Sequence, residues 1–380
     1  MVVFLALFAF QIAQAPAKAS ASGAACVIAA KDSSEPSKSG AHIVCDGDGD
    51  QEEINKAIRE LPPVGGRILL MEGTFDIRRA DGALGGVLIE RSNVTLEGQG
   101  SSTKLVQAPN QETNVIRIIG SGVGHIVIRN LYVDANRDGN PKGEGPENVS
   151  HARFEFCGIK AFCAQPGGGG DPCHNITIEN CYVMNARRLG IMLEGRNMRV
   201  LNNVLGNAFS DSVEILTGPG EIRGNYADIT GKTHVAFGSD RGDNIIMANN
   251  IVHVREGGDL DIGFRSWSDS QRHVIEGNIV TVDKGGKCGM AIDARGYGAV
   301  ISGNHTYTAN DEKLIVKIGA GKSIVTGNVF ENTTIEVDDA TGTGKRIVLK
   351  DNVLENSAVL TKNVGSRVEA EASPSTQITQ

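Results

Sequence analysis

The sequence predicts an all-β fold: a right-handed, three-sided parallel β-helix with an N-terminal capping helix. Three observations lead there. Phrases of one type recur along the chain: ITIENCYV, RVLNNVL, EIRGNYA, IIMANNIV, VIEGNIV, VISGNHT, IVTGNVF and VLKDNVL. Their shared asparagines, Asn180, Asn203, Asn225, Asn250, Asn278, Asn304, Asn328 and Asn352, stand 23, 22, 25, 28, 26, 24 and 24 residues apart. Between these phrases runs a second family of short strands, from GIMLEG and SVEILTG through HVAFGSD, DIGFRSW and GMAIDARG to VKIGAG and TIEVDD. A unit of that length cannot bury an apolar face alone, and stacking such units gives continuous parallel sheets. The composition agrees: with 48 glycines and only 4% aromatics in 380 residues, the core is built from Val, Ile and Leu, as buried parallel strands are. A leucine-rich repeat would need an LxxLxLxxN pattern that is absent. Asparagine at a fixed turn position tolerates left-handed backbone, and stacked asparagines hydrogen-bond along the axis.

Taken in order, Val2 to Ile12 is nearly all apolar and Ala17-Lys18-Ala19 offers a small-x-small cleavage site, so residues 1–19 read as a signal peptide. Residues 20–40 read as a linker. Asp50 and Glu53 then form the N-cap and N3 acid of a capping box, followed by INKAIREL at helical spacing and stopped by Pro62-Pro63. This helix covers the open end of the stack, which would otherwise template association. The β-helix domain extends over 41–365, with 366–380 a disordered tail. An insertion between Asp134 and Asn175 carries Cys157, Cys163, Cys173 and a glycine run. Seven cysteines without a CxxC pair fit an oxidising compartment and not a structural zinc site. Bridges Cys163–Cys173 and Cys26–Cys45 are expected. The chain is therefore read as secreted or held at the cell surface, without a permanent membrane span. Its net charge of −8 argues against a nucleic-acid partner, which wants a basic face.

The stretch CDGDGDQEEINKAIRELPPVGGRILLMEGTFDI, followed by SNVTLEGQGSSTKL, resembles the opening of secreted β-helix proteins of the pectate lyase superfamily. The resemblance covers roughly residues 41–365. It implies a substrate groove along one sheet, flanked by loops, and a polysaccharide partner; it carries no catalytic set over residue by residue. The NTD, DD, GHG and RIK motifs of the polygalacturonase-like branch do not occur here in that order, nor does the epimerase-like DPHD.

Stacked strands place equivalent residues about 4.8 Å apart. Aligning the second strand family by inward pairs (Ile191/Leu193, Val213/Ile215, Val235/Phe237, Ile262/Phe264, Met290/Ile292, Val316/Ile318) sends its other residues outward in columns. His234 then neighbours Asp261, Arg265 neighbours Asp293, and Asp240, Trp267 and Arg295 occupy consecutive rungs, with Glu214 and Lys317 between inward positions. Trp267, the single tryptophan, can lay its apolar face on a sugar ring, and Arg265, Arg295 and Lys317 can neutralise uronate carboxylates.

These columns point to an acidic polysaccharide and, first, to a lyase acting by β-elimination. Catalytic candidates are His234, Asp261, Arg265, Asp293 and Lys317; substrate-binding candidates are Glu214, Asp240, Trp267 and Arg295. His234 oriented by Asp261, or Lys317, would take the C5 proton. The cofactor expected, if the chemistry uses one, is Ca²⁺ held by Asp240, Asp261 or Asp293. A glycoside hydrolase of the same fold, using two carboxylates such as Asp261 and Asp293, is the first alternative. A non-catalytic, tailspike-like carbohydrate-binding protein is the second.

Overall fold

The structure, a computed structural model, describes residues 25–83, 85–111, 113–140, 156–162, 170–339, 346–362, 368–370 and 378–379. The expected signal peptide and Cys163 lie outside these residues. Within them the chain winds into a parallel β-helix of about ten turns. Strands are joined into a 25-stranded and an 11-stranded sheet. The larger sheet is two faces of the solenoid fused at Ile191–Leu201, one strand that pairs with Asp211–Ile215 at its start and with Gly220–Arg223 at its end. The result is three sides: an entry sheet containing Gly220–Arg223 and Ile245–Ala248, a back sheet containing Tyr226–Ile229 and Ile251–Val254, and a third sheet containing Lys232–Ser239 and Asp259–Ser266. Among the described residues no helix is long and apolar enough to cross a membrane.

The corner between the entry and back sheets is two residues long in nine successive coils, from Arg129/Tyr132 to Lys350/Val353. The second of those residues builds the expected ladder. Asn225, Asn250, Asn278, Asn304, Asn328 and Asn352 each receive, on Oδ1, hydrogen bonds from the asparagine one coil earlier, beginning with Asn203, at 2.8–3.1 Å. Cys181 precedes them, donating its N–H to Asn203 Oδ1 at 2.9 Å. The repeat is thus offset by one at its start: Cys181, not Asn180, holds the ladder position. The left-handed backbone sits at Asn180 as expected and in the later coils one residue earlier than expected, at Asn202, Gly224, Asn249, Gly277, Gly303, Gly327 and Asp351. The ladder residue's own backbone N–H instead bonds the next coil, as Asn250 N does to Asn278 Oδ1. Asn250→Ala should cost about 2–4 kcal/mol in urea denaturation, because it orphans buried donors on Asn225 and the carbonyl of Ile222. Asn352→Ala, at the half-buried end of the ladder, should cost less.

The N-terminal segment differs from expectation. Ala25–Ala29, inside the stretch read as a linker, is a strand paired to Gly66–Leu70 and to Ile43–Val44, and a short helix Glu35–Gly40 follows it. Its alternation (Cys26 and Ile28 buried) is too short to register as a period. The helix Gln51–Glu60 forms where expected, but Asp50 makes no capping bond to it. Its carboxylate accepts from the N–H groups of Gly47 and Asp76, tying the preceding loop to the first coil. Asn55 on the helix donates to Gly86 O and accepts from Leu88 N, the bonds a further strand would make. Cys26 and Cys45 are buried free thiols rather than a bridge; Cys173 is disulfide-bonded, and its expected partner Cys163 is outside the described residues. At the other end, Val368–Ala370 and Ile378–Thr379, inside the stretch read as a disordered tail, are strands pairing with Ile347–Lys350 and Ala358–Lys362.

Candidate active site

Register in the third sheet places the site. Val213 pairs with Phe237, Phe237 with Phe264, Phe264 with Ile292, and Ile292 with Val316. The inward-pair alignment is therefore shifted by two residues at its second and last steps. Phe237 and Phe264 stack inside with centroids 5.4 Å apart, a contact worth about 1 kcal/mol beyond burial. Ile262 is buried but stands outside the core that Leu260 and Phe264 join. The corrected outward column reads Glu214, Gly238, Arg265, Asp293, Lys317, with Asp211 paired to Val235 at the head of the neighbouring one.

Gly238 decides what Arg265 can reach. A Cβ on Gly238 would sit 3.5 Å from Arg265 Nε and Nη2, so the guanidinium lies across the bare rung toward the earlier coil. Its Nη2 stands 2.8 Å from Asp211 Oδ2, 3.2 Å from Glu214 Oε1 and 2.6 Å from Asp240 Oδ1. Asp211, Glu214 and Arg265 are almost wholly buried, while Asp240 is 35% exposed. The expected Arg265–Asp293 pair does not form; the two are in register, but Arg265 turns the other way because three acids lie there. Burial, then the charges of Asp211 and Asp240, hold the Glu214 carboxyl well above its ordinary range despite Arg265. Burial raises Asp211 too, with Arg265 opposing. Burial works against the charge of Arg265, yet Asp211, Asp240 and Glu214 raise its pKa. Three carboxyl groups facing one guanidinium cannot all ionise cheaply, and the push toward the protonated form falls on Glu214 and Asp211, the two buried most deeply. The cluster lines a cavity of about 290 Å³ together with His234, Trp267 and Arg188.

The other candidates divide. His234 Nδ1 lies 2.8 Å from Asp261 Oδ2, as the column requires. Lys232 also bonds Asp261, and Asp259 at 3.3 Å. Burial pushes Asp261 up, but the bonds from His234 and Lys232 outweigh it and leave it below the usual carboxylate range. Asp261 lines a second cavity of about 600 Å³ with Lys287, Asn310 and Lys313, so the His234–Asp261 bond joins two cavities. Trp267 is flanked by two guanidiniums, Arg295 at 4.7 Å and Arg265 at 5.7 Å from the ring. Asp293 is fully buried and pairs with Arg295 at 2.8 Å rather than forming a surface pair. Asp293 and Lys317 do not line the cavity of the Arg265 cluster. The expected Ca²⁺ set does not fit: Asp240, Asp261 and Asp293 each face a cationic side chain. Among the described residues the trio of candidate ligand atoms within 4.8 Å is Cys45, Asp50 and Glu53, elsewhere in the fold.

Asp211 is the functional residue that sequence reasoning missed. The two-residue slip set Val213 level with Val235, where Asp211 stands, and the signal that could have found it was the DxxE spacing, Asp211 and Glu214, beside a glycine one coil later. Trp267→Ala should lower the affinity for substrate oligosaccharides by about 10- to 100-fold with the melting temperature little changed, measured by titration calorimetry; the loss is that of an aromatic contact surface.

No protein-family model matches the chain, and no curated protein sequence matches it. Solved structures do. The A-module of mannuronan C-5 epimerase AlgE6 from Azotobacter vinelandii superposes with a TM-score of 0.63 at 19% identity, over 88% of this chain and 95% of that one. The N-terminal fragment of bacteriophage Phi29 gene product 12 gives 0.57 at 15%, over 86% and 64%. DFA-IIIase from Arthrobacter chlorophenolicus A6, in complex with DFA-III, gives 0.54 at 12%, over 90% and 83%. At these identities the likeness is one of fold, and it is the right-handed parallel β-helix that the resemblance to the pectate lyase superfamily implied.

Proposed function

We propose that this protein is an exported enzyme that cleaves a glycosidic bond in an extracellular, acidic polysaccharide. The observation that carries the reading is the convergence of Asp211, Glu214 and Asp240 on Arg265 in a cavity of about 290 Å³, where burial pushes the Glu214 carboxyl well above its ordinary range. A buried carboxyl pushed toward its protonated form beside a more exposed one is the arrangement of an acid–base pair. Glu214 would protonate the leaving oxygen, and Asp240, the exposed member, would serve as nucleophile, because both lie on one nitrogen of Arg265, at 3.2 and 2.6 Å, closer together than a water-activating base requires. Arg265 fixes the carboxyls in place and is saturated by them, so hydrolysis is favoured over the β-elimination expected from the sequence. The second cavity beyond His234–Asp261 suits further sugar units of a polymer. Export is supported by the apolar run Val2–Ile12 and by the disulfide at Cys173.

A specific observation favours the lyase as a second reading: the His234–Asp261 hydrogen bond, which orients an imidazole as a base for the C5 proton. Incubation with pectate, alginate and glycosaminoglycans separates these readings. Hydrolysis should yield new reducing ends without unsaturated-uronate absorbance, and elimination should yield both. Under the hydrolase reading His234→Ala keeps much of the turnover; under the lyase reading it abolishes it. Binding without either product would leave the non-catalytic, tailspike-like role.

A further inference from the structure

We propose that Arg137 and Arg187, gathered on the ring of Phe209 beside the catalytic cavity, form a subsite for an anionic group, a carboxylate or sulfate, on a saccharide unit; this rests on reading that cavity as a glycan site. The three residues come from the same corner of three successive coils, which the backbone bonds Arg137 N to Asn185 O, Asn185 N to Gly206 O, and Phe209 N to Ala186 O hold in a stack. The Arg137 guanidinium lies 4.9 Å and the Arg187 guanidinium 5.5 Å from the ring centroid. A ring attracts cations without neutralising them, so two positive charges are brought together on one platform. The guanidinium of Arg137 is lowered by burial and by Arg187, with Asp138 acting the other way. Asp138 is exposed, and among the described residues no carboxylate forms an ion pair with either arginine. Arg137 Nη1 makes only a long bond, 3.4 Å, to Asn207 O.

The position links this pair to the chemistry. Phe209 O and Ser210 O both accept from the N–H of His234, at 3.2 and 2.9 Å. Ser210 and the residue after Arg187, Arg188, line the catalytic cavity. A pair of planar donor forks held side by side on one ring matches the anionic group of a charged sugar. Such a subsite would select acidic units next to the bond that reacts.

The test is binding measured apart from turnover. The full chain, in wild-type and Glu214→Gln backgrounds, is titrated with short oligogalacturonates, oligomannuronates and sulfated oligosaccharides, and with carboxyl-reduced or desulfated counterparts. The wild type should bind at least one anionic probe about tenfold or more tightly than its neutral counterpart, with the advantage shrinking as salt rises. Arg137→Gln combined with Arg187→Gln should remove that advantage and leave neutral-probe affinity and melting temperature unchanged; Lys at both positions should keep part of it. The proposal falls if no anionic probe is preferred, if the Gln variant keeps the preference, or if it loses both probe classes equally. Persistent turnover by Glu214→Gln would instead overturn the catalytic assignment, in a different measurement.

Discussion

Arg265→Met should destabilise the protein by about 3–5 kcal/mol at neutral pH and abolish turnover. The cost arises because removing one partner strands buried charge. Asp211 and Glu214 are almost wholly buried and share Arg265 with Asp240. Without the guanidinium, the acids must either take up protons or stay ionised in a poorly solvated place. The penalty should therefore be largest near neutrality and shrink as pH falls and the carboxyls protonate. Urea denaturation of wild type and variant at two pH values measures it. A variant as stable as wild type at neutral pH would show that the acids relax independently, and the idea of one coupled cluster would fail.

Glu214→Gln should reduce turnover by about 10²- to 10⁴-fold, the range for losing a general acid, while the fold persists. Its pH signature follows from the raised pKa, which burial causes first and Asp211 and Asp240 reinforce. As an acid, Glu214 must be protonated, so wild-type turnover should decline as pH rises through its folded pKa. Stability shares the sign. Folded Glu214 binds its proton more tightly than the unfolded chain does, so its contribution is fully present below the unfolded value of about 4.3 and is lost as pH rises through the folded one. The Gln variant should lack that decline, and stability measured across the acidic-to-neutral range checks it. Asp261, held low, contributes with the opposite sign: its share is lost as pH falls through its folded pKa.

The fold was legible because its cause is periodic. Ladder asparagines recur at a fixed corner, and a few of them suffice to read the stack. The site was only half legible, because a sheet's chemistry depends on register and a glycine does not announce its register. Val213 could be matched to Val235 or to Phe237 on apolarity alone; the structure takes Phe237, and that shift brings Glu214 level with Gly238 and Arg265. His234 and Asp261 survived because Val235–Phe237 and Ile262–Phe264 share length and pattern. Arg265 was placed on the right rung but given the wrong partner, since side-chain direction follows the local charges and the empty space over Gly238. The pairing strands near either terminus were missed for a plainer reason: they are five, three and two residues long, shorter than a window that shows a period.

The two-residue corner has an evolutionary side. Nine coils in succession turn there with the same length, whereas the corner that leads out of the third sheet has four to seven residues across the five coils from Asp211–Ile215 to Leu314–Ile318. Over those nine coils one edge of the prism keeps a fixed length, although the coil before them holds five residues there, Gly98 to Ser102, and length variation is concentrated at an edge that carries Asp240, Trp267 and Arg295. Descendants of this chain can therefore change what they grip by lengthening that edge without renegotiating the core. Grafted loops should be accepted there more readily than at the two-residue corner.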